Sequence, residues 1–403
     1  MRAMKPSSTQ LARAVRQPSA SVRRLCPFLL LALIIAGPTG CDQEQEAPRR
    51  IDTERLLYPP AHIAASERGQ LVAMVTDGES RRLALYRADS LGETWERWQP
   101  LPTSASSGDV GLTVAGETAV AVGAAERRIW SITVALDAAG DEGADEAAPM
   151  PPAEASWFDA GAPVLALAID ASAPDTSGTI YTHLVYLMRR PEPGDQCLAY
   201  RRSVDAGRHW SPPETLATGS LGRPGLFARS ERANIVDLCY ARDGFMAWRG
   251  SGNHGDAWVE EKSIRLATWP GSPNAIARKD PEVLTIVENE LHQVAGSTSL
   301  NRGYNWERAI AIARACDHVR LPALDCGGGL FWVAFSQGDT LVVLRSTKTT
   351  LYPKQWNRGI VAARACCMGA PDVLAMPDST AGVLFGTPDG EVFFTRVRQP
   401  TRR

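Results

Sequence analysis

A tryptophan-marked repeat constrains the fold of this chain more than any other feature of its sequence. Four tryptophans end a common eight-residue pattern, with a glycine three positions before the tryptophan and a small residue seven positions before it. Six tryptophans recur at steps of 62, 53, 48, 48 and 50 residues, and they are Trp95, Trp157, Trp210, Trp258, Trp306 and Trp356. A period of this length is typical of arrays in which each repeat packs against the next.

The chemistry of the pattern predicts a tight hairpin turn. An Asp or Asn oxygen can accept amides of its own turn, and the glycine can adopt a positive φ. We expect the tryptophan to start the next strand and to pack on the neighbouring repeat. An earlier copy with Gly92 and Trp95 has Ser90 at the Asp position, and we interpret it as degenerate. The complete copies contain Ser203, Asp205, Gly207 and Trp210; Ser251, Asn253, Gly255 and Trp258; and Ser299, Asn301, Gly303 and Trp306.

The pattern S-x-D-x-G-x-x-W resembles the Asp box of the sialidase-like (BNR-repeat) β-propeller superfamily. The resemblance covers about residues 52–398. It implies that each turn joins the third and fourth strands of a blade, on the face away from the ligand site. Such boxes identify a fold and not an activity.

Each period contains four strand-like segments separated by Gly, Asp, Asn or Ser, which predicts an all-β fold: a β-propeller of four-stranded antiparallel blades. Three further strands follow the last tryptophan, and residues 53–60 supply an unpaired strand before the first period. If this N-terminal strand pairs with the C-terminal three, it completes a seventh blade and removes the exposed edges. We therefore favour seven blades, and six blades, as in sialidases, is the alternative.

The domain organisation follows from the same pattern. Residues 52–398 are predicted to form a single propeller, preceded by a flexible tether at 42–51 and followed by a short tail at 399–403. Residues 137–155 contain six acids and no base, and they account for the longest step of the repeat. We interpret them as a solvated acidic insertion in the second blade.

The first 41 residues predict export. Residues 25–36 form an apolar run that is too short to span a bilayer and is typical of a signal-peptide core. Thr39-Gly40-Cys41 resembles the lipobox of bacterial lipoproteins, although Pro38 stands where leucine is usual. The resemblance implies that Cys41 is lipidated and anchors the mature chain to a bacterial membrane, facing the periplasm or the exterior. The alternative is simple secretion with an unmodified Cys41.

The charge of the chain bears on its partners. The first 40 residues hold six basic groups and no acid, so the remainder has 37 basic against 45 acidic residues, a net charge of −8. A mildly acidic body without a basic run excludes nucleic acid as the expected partner.

The resemblance places the ligand site on loops that join the outer strand of one blade to the inner strand of the next. Arg223, Asp317, His318 and Arg320 are the candidate ligand-face residues there. A sialidase clamps the carboxylate of its substrate with three arginines and uses a Tyr–Glu nucleophile. The sequence offers two arginines at the starts of inner strands, Arg223 and Arg320, and no tyrosine in the last blade, so no catalytic residue is assigned.

The cysteines form a second constellation. Six remain beyond Cys26 and Cys41, and an even number in an exported chain predicts disulfides. We expect Cys197 to pair with Cys239, and Cys316 with Cys366 or Cys367, each pair linking neighbouring blades. The alternative is a soft-metal site from Cys316, His318, Cys366, Cys367 and Met368, although the spacing is unlike that of zinc sites.

Three functions remain open on these grounds. The first is a monomeric binding or scaffold propeller on a bacterial membrane, with a glycan or protein ligand and no cofactor. The second is a sialidase-type glycoside hydrolase with a divergent site. The third is a metal-binding propeller built on the cysteine cluster.

Overall fold

The computed structural model describes 15 stretches of the chain, beginning at the end of the predicted tether. Outside them lie the predicted signal peptide with Cys41, the strand predicted at 53–60, most of the predicted acidic insertion and the predicted tail. The described residues are 49–51, 62–76, 83–90, 92–101, 109–136, 154–191, 195–229, 232, 234–268, 271–313, 319–338, 340–347, 356–363, 371–387 and 391–398.

Seven four-stranded antiparallel sheets make up the described part, which confirms the predicted propeller and its blade count. Blade 1 contains β2 (His62–Ala65), β3 (Leu71–Thr76), β4 (Leu83–Ala88) and β5 (Trp95–Pro100). Blade 2 contains β6 (Val110–Ala115), β7 (Thr118–Ala125), β8 (Arg128–Ala135) and β9 (Ser156–Asp159). Blade 3 contains β10 (Val164–Ala171), β11 (Thr182–Arg189), β12 (Gln196–Ser203) and β13 (Glu214–Gly219). Blade 4 contains β14 (Leu221–Phe227), β15 (Val236–Arg242), β16 (Phe245–Ser251) and β17 (Lys262–Ala267).

The remaining three blades follow the same order, except at the point where the ring closes. Blade 5 contains β18 (Asn274–Lys279), β19 (Glu282–Glu288), β20 (Val294–Ser299) and β21 (Ile310–Ala313). Blade 6 contains β22 (Val319–Gly327), β23 (Leu330–Gln337), β24 (Thr340–Ser346) and β25 (Asn357–Ala363). Blade 7 contains β26 (Asp372–Ala375), β27 (Ala381–Gly386), β28 (Val392–Val397) and, as its outer strand, β1 (Arg49–Ile51). No helix among the described residues is long and apolar enough to cross a membrane.

The second strand of each blade forms the centre of the core. In β15 almost every residue is buried, because the strand has a blade on either side. Its side chains alternate: Leu238 and Tyr240 pack with blade 3, whereas Cys239 packs with blade 5. Outer strands such as β17 alternate buried and exposed residues, because one of their faces meets solvent.

The predicted hairpin turns lie between the third and fourth strands of their blades. In the turn of blade 3, the hydroxyl of Ser203 accepts a hydrogen bond from the amide of Gly207 at 2.8 Å, and Asp205 Oδ1 accepts one from the amide of His209 at 2.9 Å. The turns at 251–258 and 299–306 repeat these bonds, with Asn in place of Asp. We call these three, with the turn at 88–95, the Trp turns.

The first Trp turn is capped by a residue that the pattern did not single out. Asp89 Oδ1 accepts the amide of Glu93 at 3.1 Å, so the acid moves one position towards the N-terminus while Gly92 keeps a positive φ. The turn therefore keeps its side-chain cap although Ser90 occupies the predicted position.

The tryptophan rings of the Trp turns pack on a neighbouring blade, as predicted, and in each case this is the preceding blade. Trp258 contacts Tyr200 of blade 3 edge-on with ring centroids 5.0 Å apart, and Trp306 contacts Trp248 of blade 4 at 6.1 Å. Trp95 makes the same contact across the ring closure, with Phe394 of blade 7 at 5.3 Å. Only Trp95 starts a strand. The prediction was wrong for the other three, because three residues separate the tryptophan from the start of the fourth strand.

The ring closes through an N-terminal strand, as predicted, but through different residues. Arg49, Arg50 and Ile51 pair with Phe394, Phe393 and Val392. The outer edge of β28 is thus occupied by β1, and the assignment of this role to 53–60 was wrong. The apolar run at 53–60 looked like a strand, but outer strands are half exposed, so apolar character does not mark them. Residues 49–51 also belong to the propeller and not to the tether.

Deleting residues 42–51 is expected to destabilise the propeller, because the edge of β28 loses its partner. The loss of about three ladder hydrogen bonds corresponds to about 2–3 kcal/mol, and the bare edge favours association between copies. Thermal unfolding and size-exclusion chromatography measure the two effects. Deleting 42–48 alone is the matched control and leaves both unchanged. Equal behaviour of the two truncations would contradict closure by β1.

The two faces of the ring follow from strand direction. Because neighbouring strands are antiparallel, the start of an inner strand and the hairpin between the third and fourth strands lie at opposite ends of a blade. The Trp turns therefore lie on one face, and the inner strands begin at the other face.

Candidate functional site

An axial cavity of ≈ 650 Å³ is lined by the inner strands of all seven blades. The polar residues of its lining form two groups at opposite ends of the axis. One group lies where inner strands begin, on the face opposite the Trp turns, and we call it the axial mouth: His62, Asp109, Arg223, Asn274 and Asp372. A second group lies at the other ends of the inner strands and includes Asp170 and Arg229.

The two carboxylates of the axial mouth fasten neighbouring blades together. Asp109 Oδ2 accepts a hydrogen bond from the amide of Leu167 at 2.9 Å, and Asp372 Oδ2 accepts one from the amide of Ile63 at 2.9 Å. Asp109 also accepts a hydrogen bond from Arg223 Nη2. Both carboxylates keep some contact with the cavity, since their side chains are 19% and 27% exposed.

His62 lies beside Asp372, with 3.5 Å between Nδ1 and Oδ2. Burial disfavours the charged imidazolium, but the hydrogen bond and charge of Asp372, together with the charge of Asp109, outweigh it. The pKa of His62 is therefore raised above its ordinary value, even though Arg223 opposes the shift. Mildly acidic conditions thus add a positive charge to the axial mouth.

Asn274 has a buried acceptor that no described residue bonds. Its Nδ2 donates to the carbonyl oxygen of Arg223 at 2.6 Å, whereas its Oδ1 accepts no hydrogen bond from the described residues. The residue is 7% exposed and lines the cavity. An acceptor left in this state costs about 1–3 kcal/mol, so a donor brought by a ligand would be favoured there.

Arg229 closes the far end of the cavity by joining two blades across the axis. Its Nε lies 3.0 Å from Asp170 Oδ1 in blade 3, and its Nη1 lies 3.3 Å from Asp325 Oδ2 in blade 6. Burial works against the charged guanidinium, yet the charges of Asp170 and Asp325 outweigh it and raise the pKa of Arg229. Burial also raises the pKa of Asp325 to about 6, with Arg229 opposing.

The chemistry of this channel suits binding by hydrogen bonds. A glycosidase needs one carboxylic acid that stays protonated and reaches the glycosidic oxygen. Asp325 has the raised pKa, but its side chain is 2% exposed, forms an ion pair with Arg229 and accepts a hydrogen bond from the Ala375 amide. The carboxylates nearer to solvent, Asp109 and Asp372, are already engaged in bonds between blades.

The ligand-face residues predicted from the sequence fall in different parts of the structure. Arg223 lines the axial mouth. Arg320 lies near the start of β22, and its side chain is outside the described part, as are Asp317 and His318. Among the described residues, Arg223 and Arg229 face the axis, so a cluster of three arginines is not built from them.

Sequence reasoning missed most of the channel. His62 and the channel aspartates belong to none of the motifs found in the sequence. A signal was present: Asp109 and Asp372 are each followed by valine at the start of an inner strand, and Asp170 and Asp325 each follow an aliphatic residue near the end of one. An aspartate at equivalent positions of several repeats indicates a common role at the axis.

The predicted disulfide between Cys197 and Cys239 is absent, and both thiols are free and buried. Alternation along the strands explains this. Cys197 lies opposite Met188, which packs between blades 2 and 3, whereas Cys239 packs between blades 4 and 5. The two side chains therefore enter different gaps. Burial raises the pKa of Cys239 to about 12, which keeps this thiol protonated and inert.

The other cysteine predictions concern residues outside the described part. They are the pairing of Cys316 with Cys366 or Cys367 and the metal site that would add His318 and Met368. Within the described ranges, no group of three His, Cys, Asp or Glu side chains is arranged to hold a metal ion.

Comparison with solved structures identifies propellers of similar fold. The α-L-arabinofuranosidase Arb93A of Fusarium graminearum is 10% identical, with a TM-score of 0.50 over 88% of this chain and 98% of that one. The Aleuria aurantia lectin is 12% identical, with a TM-score of 0.50 over 77% and 97%. A Hadza microbial sialidase is 13% identical, with a TM-score of 0.48 over 85% and 66%. No protein-family model and no curated protein sequence matches the chain.

Proposed function

We propose that this protein is an exported, lipid-anchored propeller that binds a glycan at its axial mouth. In this proposal the Trp turns are Asp boxes of the BNR type, the protein is monomeric, and Cys41 carries the lipid. The axial mouth is the observation that carries the binding role: polar side chains of five blades converge on a cavity of ≈ 650 Å³. Concave sites with a few converging polar groups are the usual form of a ligand site.

A glycan is the ligand class that this lining favours. Carboxylates, an arginine and an amide can together accept from and donate to sugar hydroxyls. Two propellers of similar fold are described with sugars or sugar analogues: the lectin with a fucosylated GlcNAc and the arabinofuranosidase with an iminosugar inhibitor. At 10% and 12% identity these likenesses concern the fold alone, so the choice of a glycan is our inference.

Binding is preferred to hydrolysis because the channel carboxylates are committed to other bonds. Asp109 and Asp372 hold neighbouring blades, and Asp325 is shielded by Arg229. If the protein were instead a sialidase-type hydrolase, it would release sugar from a glycan that it binds.

The Asn274→Ala variant tests the site. A glycan array screened with residues 42–403 should give a ligand whose affinity falls about tenfold, or ~1.4 kcal/mol, in the variant. The change removes a buried acceptor without altering charge. Asn305→Ala is the matched control, since this exposed asparagine lies in a Trp turn on the other face, and its affinity should not change.

Three outcomes separate the proposal from its alternatives. The absence of any bound glycan, or equal affinity in both variants, would contradict an axial glycan site. Release of sugar from the bound glycan would favour the hydrolase. For the anchor, Cys41→Ala should move the protein from the membrane fraction to the soluble fraction with loss of lipid mass, and a variant that stays in the membrane would contradict lipidation at Cys41.

A further inference from the structure

The described groups around the axial cavity carry more negative than positive charge. Four carboxylates, Asp109, Asp170, Asp325 and Asp372, face or border the cavity, against two arginines, Arg223 and Arg229. His62 adds a positive charge only when it is protonated. With all four carboxylates ionised, these groups have a net negative charge whichever state His62 adopts, and protonation of Asp325, whose pKa burial raises to about 6, makes that charge smaller.

The positive groups are already paired within the protein. Arg223 donates to Asp109, and Arg229 lies between Asp170 and Asp325. His62, when charged, pairs with Asp372. An anionic ligand would have to break one of these pairs, which leaves a carboxylate uncompensated in a confined space.

Acceptor oxygens, by contrast, keep capacity at the axial mouth, because each carboxylate oxygen can accept a second hydrogen bond. The Oδ1 of Asn274 is buried and has no partner among the described residues, and Asn274 lines the cavity together with the partly exposed carboxylates of Asp109 and Asp372. An ammonium group has three donors and no acceptor, and it satisfies acceptors of this kind at close range.

We infer that the axial mouth selects glycans that carry free amino groups over neutral ones and excludes glycans that carry carboxylates. The inference rests on the proposed glycan-binding function and specifies its ligand class. An amino sugar places its ammonium among Asn274, Asp109 and Asp372, and its hydroxyls exchange hydrogen bonds with the remaining polar lining.

Three oligosaccharide probes of equal length test this preference by isothermal titration calorimetry at pH 6: a glucosamine tetramer, an N-acetylglucosamine tetramer and a sialylated tetrasaccharide. We expect the glucosamine tetramer to bind about tenfold more tightly than its acetylated counterpart, a difference of ~1.4 kcal/mol. We expect no measurable binding of the sialylated probe. Tighter binding of the sialylated probe, or equal affinity for the first two, would overturn the inference.

The Arg223→Gln variant gives a second and sharper test, because it removes a positive charge and releases Asp109. The affinity for the glucosamine tetramer is expected to rise about threefold or more, since the axial mouth becomes more negative. The affinity for the acetylated tetramer is not expected to rise. Arg265→Gln, on the exposed outer strand β17, is the matched control. Weaker binding of the glucosamine tetramer by Arg223→Gln would contradict the charge argument.

Failure of this inference and failure of the proposed function give different results. If none of the three probes binds and the glycan array is also blank, both are wrong. If the array shows a neutral or acidic glycan whose affinity falls in Asn274→Ala, the axial site is retained and only the preference for amines is wrong.

Discussion

Replacing Gly255 with alanine is expected to lower the free energy of unfolding by about 2–5 kcal/mol, the sum of a left-handed backbone and an overpacked core. Gly255 has φ +80°, and a Cβ there would lie 1.9 Å from the Tyr200 hydroxyl. Tyr200 cannot move away cheaply. Its hydroxyl lies 2.8 Å from His183 Nδ1, and its ring packs on Trp258.

Gly178→Ala is the matched control for this variant. Gly178 has φ +81°, nearly the same as Gly255, but a Cβ there would have nothing within 4 Å. The control is therefore expected to cost only the backbone contribution of about 1–2 kcal/mol. Denaturant unfolding of both variants measures the difference. Equal losses would show that the close contact between blades 3 and 4 contributes nothing.

Replacing Asp237 with asparagine is expected to cost about 3–5 kcal/mol, because it leaves the buried charge of Arg278 without its main partner. Asp237 is fully buried in blade 4, and Arg278 of blade 5 donates to it through Nη2 at 2.8 Å. Trp248 Nε1 also donates to Asp237 at 2.9 Å. The ion pair therefore joins two blades inside the core.

The control variant and the compensating second substitution for Asp237→Asn are also measured by the free energy of unfolding. Asp243→Asn removes an exposed carboxylate of the same blade and should change the free energy of unfolding by less than about 1 kcal/mol. Adding Arg278→Met to Asp237→Asn should recover part of the loss, because the buried charge that lost its main partner is then removed. A double variant as unstable as the sum of its two single variants would show that the pair does not couple the blades.

Local chemistry explains why the fold could be predicted. A Trp turn is specified within eight residues: Ser203 and Asp205 bond to amides of their own turn, and Gly207 adopts a positive φ. Repetition of such a unit at a near-constant step leaves few architectures. The blade count was harder to predict, because it depends on a three-residue strand at 49–51 with no apolar pattern and a partner more than 300 residues away.

The predicted disulfide between Cys197 and Cys239 was wrong for a reason that the local sequence pattern does not contain. Cys197 and Cys239 lie in adjacent blades, which suggested a bond between them. Successive side chains of a strand point to opposite faces of its blade. Whether two cysteines enter the same gap between blades therefore depends on which face each of them occupies. Their neighbours in the core show that the two cysteines enter different gaps.

The sequence by itself determined the repeat, the chemistry of its turns, the class of fold and the contact of each Trp-turn tryptophan with a neighbouring blade. All of these depend on residues within one period and its neighbour. Only the tertiary structure decided which strand closes the ring and which side chains meet at the axis. His62, Asp109, Arg223, Asn274 and Asp372 come from five blades and are brought together by closure of the ring. The sequence pattern of one blade does not predict that these side chains lie close together, because their separation depends on how all seven blades are arranged around the axis.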